Sequence, residues 1–373
     1  MRPRTAAAAA ATTVLGAAAA AVAAGRYACD AALNPARPLP GDARLTVHGT
    51  GDGLITLTRS LASLRPGTYG LTGGDRHAIV GPVVDTADPP ADSVVRRLVR
   101  VTHGTLDPGA RMWLTPQAYI GDPRGALGLE HAEVDVPGEL GPLPAWFVPG
   151  ARDTWVITVH GLGTTREHPM IVMSLLHRLR VPVLALAYRG DLGAPPSPDG
   201  VGHLGDTEWR DLDAAIRYAV RYGAQSIVLY GWSTGATMAL RAAAESALRQ
   251  RIKGLVLDSP VLDWRATVRA LAAADGIPGP LLPLAVRAAQ GRAGLGASHF
   301  DTVADPRGPD VPTLLFHGPD DVIAPWSHSQ ALAEHRPNLV HLHRVDRAPH
   351  GAMWNADPAP YEESLRRFLT PLL

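Results

Sequence analysis

The feature that most constrains the fold is an alternation of short apolar runs and helical patterns, which extends from about Gly125 to the end of the sequence. Short, nearly continuous apolar runs are typical of strands that are covered on both faces. The runs are Trp155–Val159, Val183–Ala187, Ser226–Tyr230, Gly254–Asp258, Thr313–Phe316 and Leu339–His343. Helical patterns lie between most of them and after the last, at Met170–Leu179, Glu208–Tyr222, Gly235–Arg249, Ser327–His335 and Tyr361–Leu369. The alternation predicts an α/β fold with a doubly wound, mostly parallel sheet.

The sequence before these runs has a different character. Asn34–Asp42 is a proline-rich linker, and the following residues, up to about Asp122, form short β-like runs broken by Gly, Pro and Asp. Glu133–Val136 and Pro144–Val148 flank a turn rich in Gly and Pro, which predicts an antiparallel hairpin. We therefore expect an apolar N-terminal segment within residues 1–33, a linker and small β-rich accessory region in 34–124, and a large α/β domain in 125–373.

The most specific motif is Gly231-Trp-Ser-Thr-Gly235, which lies between an apolar run and a helical pattern. A chain that turns this sharply from strand to helix strains its middle residue, and small residues at both ends of the motif avoid clashes. The Ser233 hydroxyl is then exposed above the edge of the sheet. The N-terminus of the following helix favours negative charge that develops there. These features predict that Ser233 is a nucleophile.

A serine hydroxyl needs a general base to take its proton at neutral pH. His350 follows one predicted strand, and Asp320 and Asp321 follow the strand before it. The carboxyl ends of parallel strands meet at one edge of a sheet, where open α/β sheets bind ligands. Both segments therefore reach the edge at which Ser233 lies. We expect His350 to be the base and one of the two aspartates to orient its ring.

These motifs resemble those of the α/β-hydrolase superfamily and, within it, the serine aminopeptidase-like and prolyl-oligopeptidase-like esterases and peptidases. The resemblance covers about residues 133–373. It is carried by His160-Gly-Leu-Gly163, Gly231-Trp-Ser-Thr-Gly235, His317-Gly-Pro-Asp-Asp321 with Ala324-Pro325, and His350. In that family the acid stands three residues after the glycine of His-Gly and three before a residue followed by proline. The resemblance therefore implies that Asp321 is the acid and that Asp320 is a turn residue.

The resemblance also implies where the oxyanion of a tetrahedral intermediate is bound. Its donors would be the backbone N–H groups of Thr234 and Leu162, with Gly161 as an alternative for the second. The glycines of this loop also suit an ordinary turn. Gly161 and Trp232 are the candidate substrate contacts. The insert at about residues 259–312 is long for a connection of this kind, and its apolar stretches predict a cap over the site.

Composition and motifs exclude several other functions. Lys plus Arg and Asp plus Glu both number 35, so no net field favours nucleic acid. With one cysteine, Cys29, the chain forms no intrachain disulfide, and cysteine catalysis is poorly supported. His341 and His343 share a strand face without a visible third ligand, so we expect paired strand histidines and no metal. The sequence has no phosphate-loop or dinucleotide motif, which implies no cofactor.

The N-terminus indicates export or membrane attachment. Arg2 and Arg4 precede an uncharged, alanine-rich stretch from Ala6 to Ala24. It suits a signal peptide with a cleavage site at Val22-Ala23-Ala24, a retained membrane anchor, or a soluble alanine-rich helix. Positive charges ahead of the stretch favour keeping the extreme N-terminus inside. We expect an exported or membrane-anchored protein on the non-cytoplasmic side, with any membrane attachment through residues 6–24.

The expected function is hydrolysis of a carboxylic ester by acyl-enzyme chemistry, with Ser233, Asp321 and His350 as the catalytic residues. The substrate would be a small-molecule ester or a short peptide. Three alternatives stay open: a peptidase or amidase, an acyltransferase that uses the same residues, and a non-catalytic binding protein on this fold. The sequence leaves the oligomeric state undetermined.

Overall fold

A closed barrel of six antiparallel strands forms the smaller domain in the computed structural model, which describes residues 22–35, 44–85, 92–295 and 310–373. The strands are β1 (Leu45–Gly51), β2 (Leu54–Thr58), β3 (Tyr69–Gly73), β4 (Arg76–Val83), β5 (Ser93–His103) and β6 (Arg111–Thr115). Their order around the barrel is β1-β2-β5-β4-β3-β6, and β6 pairs with β1 to close it. Val47, Ile55 and Leu71 are among the side chains that fill the interior. The predicted β-rich region is confirmed, and closure leaves it no unpaired edge strand.

An eight-stranded sheet forms the centre of the larger domain. Its strands are β7 (Ala132–Pro137), β8 (Pro142–Val148), β9 (Thr154–Val159), β10 (Val183–Leu186), β11 (Ser226–Trp232), β12 (Ile252–Asp258), β13 (Thr313–His317) and β14 (Val340–Arg344). Their order is β14-β13-β12-β11-β9-β10-β8-β7. Strands β9 to β14 are parallel, and β8 is antiparallel to both β10 and β7. The predicted mostly parallel sheet and the predicted hairpin are both confirmed.

Helices cover both faces of this sheet. Together with those of the cap, the helices are α1 (22–32), α2 (Pro123–Leu127), α3 (Met170–Arg178), α4 (Trp209–Arg221), α5 (Thr234–Glu245), α6 (Trp264–Ala274), α7 (Leu282–Arg292), α8 (Trp326–His335), α9 (Met353–Ala356) and α10 (Pro358–Leu369). Short 3-10 turns lie at Arg249–Arg251, Gly279–Leu281 and Thr370–Leu372. In β11, Leu229 packs with side chains of α4 and α5, whereas Val228 and Tyr230 pack with those of α3 and α10. Because alternate residues of one strand are buried on opposite faces, its apolar run is continuous.

Helix α1 packs against the cap region of the larger domain. Its Cys29 is fully buried in a cluster with side chains of α6 and α7. Gly25 allows the helices to approach closely, because a Cβ there would lie 3.0 Å from the carbonyl oxygen of Leu284. At the end of α1, the carbonyl of Leu33 accepts a 2.7 Å hydrogen bond from the Gly202 N–H. Residues 22–33 are therefore part of the larger domain's packing.

Residues 6–21 of the predicted N-terminal apolar stretch, residues 6–24, lie outside the described residues. Residues 36–43 of the predicted linker also lie outside them. In the part of the chain that the structure describes, no helix has the length and apolar character needed to span a bilayer.

The single cysteine offers a direct test of how α1 is docked. Burial and the neighbouring Asp30 carboxylate raise the pKa of the Cys29 thiol to about 11. Because the thiolate is the reactive form, we expect iodoacetamide at pH 8 to alkylate the native protein about 100-fold more slowly than the urea-unfolded chain. Gly25→Leu should accelerate the reaction by displacing α1, whereas Ala23→Leu on the exposed face should not. Native protein that reacts at the unfolded rate would contradict the docking.

Candidate active site

Ser233 occupies the turn between β11 and α5 with a left-handed backbone, φ 52° and ψ −116°. That conformation is strained for any residue but glycine. Two close approaches explain the flanking glycines. A Cβ on Gly231 would lie 2.3 Å from the backbone of Gly235, and one on Gly235 would lie 2.3 Å from the carbonyl oxygen of Val159. The sharp turn predicted from the motif is therefore present.

The Ser233 side chain meets His350 and Asp321 in a continuous chain of hydrogen bonds. Ser233 Oγ lies 2.7 Å from His350 Nε2, and His350 Nδ1 lies 2.7 Å from Asp321 Oδ2. In the tautomer that this order requires, the serine hydroxyl donates to Nε2 and Nδ1–H donates to the carboxylate. All three residues are less than 10% exposed, at 5%, 7% and 7% for serine, aspartate and histidine. The arrangement can take a proton from the hydroxyl and hold the resulting imidazolium.

Asp321 is bound as an ionised acid in a buried place. Its Oδ1 accepts 2.9 Å hydrogen bonds from the N–H groups of Ile323 and Ala324, and its Oδ2 accepts one of 3.0 Å from His317 Nε2. Burial opposes ionisation, but the charge of His350 and the hydrogen bonds from the two histidines outweigh it. The pKa of Asp321 is therefore held well below its usual range. A carboxylate in this state accepts from His350 across the pH range of ordinary enzymes.

Asp320 has a separate role in the same loop. Its Oδ2 accepts a 2.7 Å hydrogen bond from the backbone N–H of Arg347, and its side chain is exposed. The contact joins the loop after β13 to the loop that carries His350. The structure therefore brings Asp321 to the histidine and leaves Asp320 outside that contact.

Two histidines at strand ends hold the surrounding loops. His317 receives a 2.7 Å contact from Ser329 Oγ at Nδ1 and uses Nε2 to bind Asp321. His160 lies 2.8 Å from Asp191 through Nε2. Sequence reasoning missed the direct bond of His317 to Asp321. The spacing His-Gly-x-x-Asp, in which the histidine and the second acidic position are four positions apart, is the signal that could have indicated this bond.

The end of β12 supplies two further residues that sequence reasoning missed. Ser259 Oγ donates to the Asp258 carboxyl at 2.8 Å and accepts from the Gly351 N–H at 3.1 Å. Tyr361 donates to the other oxygen of Asp258 at 2.9 Å, and burial raises the pKa of Asp258 to about 7. The available signal was that Asp258 ends a predicted strand at the same edge as Ser233 and His350.

The loop after β9 lies directly against Ser233. A Cβ on Gly161 would be 2.7 Å from the Ser233 Cβ, so glycine lets this backbone approach the nucleophile. The N–H of Leu162, the predicted second oxyanion donor, donates to Thr234 Oγ1 at 2.9 Å. In this conformation the donor is therefore occupied by a side chain of the protein. An oxyanion would have to replace the Thr234 hydroxyl as its acceptor.

The placement of Trp232 argues against its predicted contact with substrate. Its indole is fully buried and stacks on Tyr230 at 4.0 Å between ring centroids. Both rings belong to the core on the α3 and α10 face of the sheet. The physical reason is the two-residue period of β11, which directs Trp232 to the same face as Val228 and Tyr230.

A cap covers the Leu162 side of the site. Leu162 and Ile323, which follows Asp321 closely, belong to one apolar cluster with the buried faces of α1, α6 and α7. Two of these helices come from the predicted cap insert, of which residues 296–309 lie outside the described residues. Helix α1 was not predicted to join them.

Comparisons with known proteins agree with this fold. Residues 154–276 match the family described as the alpha/beta hydrolase fold, and residues 46–115 match a domain of unknown function, DUF8805. The second match spans nearly the whole barrel.

Similar proteins include one curated relative and one solved structure. Uncharacterized protein YfhR of Escherichia coli O157:H7 is 27% identical over 196 residues, which are 51% of this chain and 62% of YfhR. This chain thus spans about 62% of the length of the curated relatives it matches. The structure of the Pyrococcus furiosus esterase Pf2001 superimposes with a TM-score of 0.55 at 22% identity, covering 68% of this chain and 94% of that one. A second crystal form gives the same TM-score at 24% identity.

The strand order and the family match assign the larger domain to the alpha/beta hydrolase fold. The resemblance to the α/β-hydrolase superfamily that the sequence predicts is therefore confirmed for the larger domain. The finer resemblance to serine aminopeptidase-like and prolyl-oligopeptidase-like enzymes stays a prediction.

The two neighbouring aspartates provide a matched test of the site. Asp321→Asn keeps the size of the side chain but cannot hold the His350 ring in the tautomer that accepts the serine proton. We expect it to lower kcat by about 10⁴. Asp320→Asn retains an oxygen for the Arg347 N–H and should cost far less. Steady-state kinetics on one ester substrate would compare kcat of the two variants with that of the wild type. Equal losses of kcat would contradict the assignment of Asp321 as the acid.

Proposed function

We propose that the protein is a serine hydrolase that cleaves a carboxylic ester through an acyl-enzyme, with Ser233, His350 and Asp321 as its catalytic residues. The observation that carries the proposal is the 2.7 Å contact between Ser233 Oγ and His350 Nε2 at a strained strand-to-helix turn. A serine in this position is ready to lose its proton and is held where a substrate carbonyl can approach.

In the first half of the reaction, His350 Nε2 takes the proton as Ser233 Oγ attacks the carbonyl carbon. The oxyanion of the tetrahedral intermediate accepts hydrogen bonds from the N–H groups of Thr234 and Leu162, the latter after it releases the Thr234 hydroxyl. His350 then gives its proton to the departing alcohol, and the acyl group stays on the serine. Water, deprotonated by the same histidine, releases the acid in the second half.

Two observations favour an ester over an amide. The Pyrococcus furiosus protein Pf2001, whose structure this domain resembles, is an esterase, and at 22% identity the likeness is one of fold. The apolar cluster of Leu162, Ile323 and the cap helices favours an apolar acyl group beside the serine.

Covalent labelling tests the nucleophile. The protein should react with a fluorophosphonate probe and hydrolyse p-nitrophenyl esters, and Ser233→Ala should abolish both because it removes the attacking oxygen. Ser226→Ala, at the opposite end of β11, is the matched control and should retain both activities. A series of acyl chain lengths and aminoacyl amides then separates esterase from peptidase activity. Full turnover by the Ser233→Ala protein would overturn the mechanism.

We also propose that the hydrolase acts on the non-cytoplasmic side of a membrane. Support comes from Arg2 and Arg4 ahead of the apolar stretch Ala6–Ala24. Cell fractionation with N-terminal sequencing should find the protein in an exported or membrane fraction. Cleavage after Ala24 would leave the buried residues of α1 in place, including Cys29. A soluble cytoplasmic chain that retains residues 2–24 would refute the localisation and leave the catalytic proposal intact.

A further inference from the structure

We propose that the N-terminal barrel is a positioning element of the active site, which holds the segment carrying His350 through contacts between Asn355 and the barrel around Gly67. The inference rests on the proposed function, because it assigns the barrel a role in the chemistry of that histidine. It gives a function to the part of the chain that matches a domain of unknown function.

Asn355 joins the two domains. It lies in α9, shortly after His350, and is fully buried. Its Nδ2 donates hydrogen bonds of 2.9 Å to the carbonyl oxygens of Thr68 and Pro116. Thr68 directly precedes β3 in the chain, and Pro116 directly follows β6. The backbone carbonyl of Asn355 accepts a 2.8 Å hydrogen bond from the Thr68 N–H. Side chain and backbone of this one residue are therefore both fixed to the barrel.

The barrel backbone also approaches α9 too closely for a side chain. A Cβ on Gly67 would lie 1.9 Å from the carbonyl oxygen of Asn355 and 2.6 Å from that of Ala356. Ala352, which lies between His350 and Asn355, is fully buried in the barrel's own core cluster. The residues that follow the base thus belong to the packing of the barrel as well as to that of the sheet domain.

A buried arginine makes this face of the barrel rigid. Arg96 in β5 is 0% exposed, and its guanidinium donates to carbonyl oxygens of the segment that ends at Gly67. The acceptors are Ser63 at 3.0 Å, Arg65 at 2.7 Å and Gly67 at 2.8 Å. Burial lowers the pKa of Arg96 to about 10, so the group is still charged at neutral pH. Charge-assisted hydrogen bonds of this kind fix the segment that faces Asn355.

The hydrolase domain holds the other end of the same short segment. The Gly351 N–H donates to Ser259, whose hydroxyl is bound by the buried Asp258. Only residues 352–354 separate this anchor from Asn355. A displacement of about 1 Å in a catalytic group can cost about 100-fold in rate. Because the link is this short, we expect a shift of Asn355 to displace His350 as well.

Two glycine variants in the barrel form the decisive test. Gly67 and Gly53 both have left-handed backbones, with φ of 84° and 71°, so alanine strains both turns. At Gly53 an added Cβ meets nothing within 4 Å, whereas at Gly67 it displaces Asn355. Gly67→Ala should lower kcat and the rate of fluorophosphonate labelling about 10- to 100-fold at nearly unchanged KM, and Gly53→Ala should change them less than about 2-fold. Circular dichroism and thermal melts establish that both proteins are folded.

Asn355→Ala breaks the same contact from the side of the larger domain, and it adds no bulk. It should lower kcat in the same direction, because it removes the two donors to the barrel. Folded Gly67→Ala and Asn355→Ala proteins with the kinetics of Gly53→Ala would overturn the proposal. Unfolding of both would overturn it as well, since the contact would then serve folding alone. A wild-type protein that does not label at Ser233 would instead overturn the proposed function.

Discussion

The candidate site depends on the left-handed backbone of Ser233. Strain of this kind persists only where the surroundings over-determine it, and here the two strands that flank β11 do so. Strand β9 packs on Gly235 from one side, with the Val159 carbonyl in the place a Cβ would fill. Strand β12 binds the turn from the other side, because the Asp258 carbonyl accepts the Ser233 N–H at 2.8 Å. The packing of the sheet therefore selects the conformation that presents the hydroxyl to His350.

Burial makes the polar groups around this turn depend on one another. A buried carboxylate is costly unless it is bound, and Asp321 meets that requirement with two backbone donors and two histidines. The acid is thus ordered before any substrate arrives. The same rule applies to the loop after β9, where the buried Leu162 N–H binds the Thr234 hydroxyl. The N–H group that we propose as an oxyanion donor is thus already bound by a side chain of the protein.

The parts of the structure that were predictable depend on local sequence. The parallel sheet follows from apolar runs, and the turn at Ser233 follows from two glycines between a strand and a helix. The period of β11 could also have excluded Trp232 as a substrate contact, because it shares a face with Tyr230. The closure of the barrel, the docking of α1 and the bond from Asn355 to Thr68 join residues far apart in the chain. No local pattern encodes such pairs, so one sequence could not reveal them.

His350 and Leu162, which the proposed mechanism assigns to proton transfer and to oxyanion binding, are each held by contacts from outside the sheet. The base follows β14 into a segment that the barrel packs against at Ala352 and Asn355. The oxyanion loop lies on the other side, where Leu162 packs in one apolar cluster with α1 and the cap helices. The contacts that position His350 and those that position Leu162 are therefore different and do not overlap. The barrel and α1 both precede β7 in the chain. The N-terminal third of the protein therefore supports a candidate site whose residues Ser233, Asp321 and His350 all lie in the other two thirds.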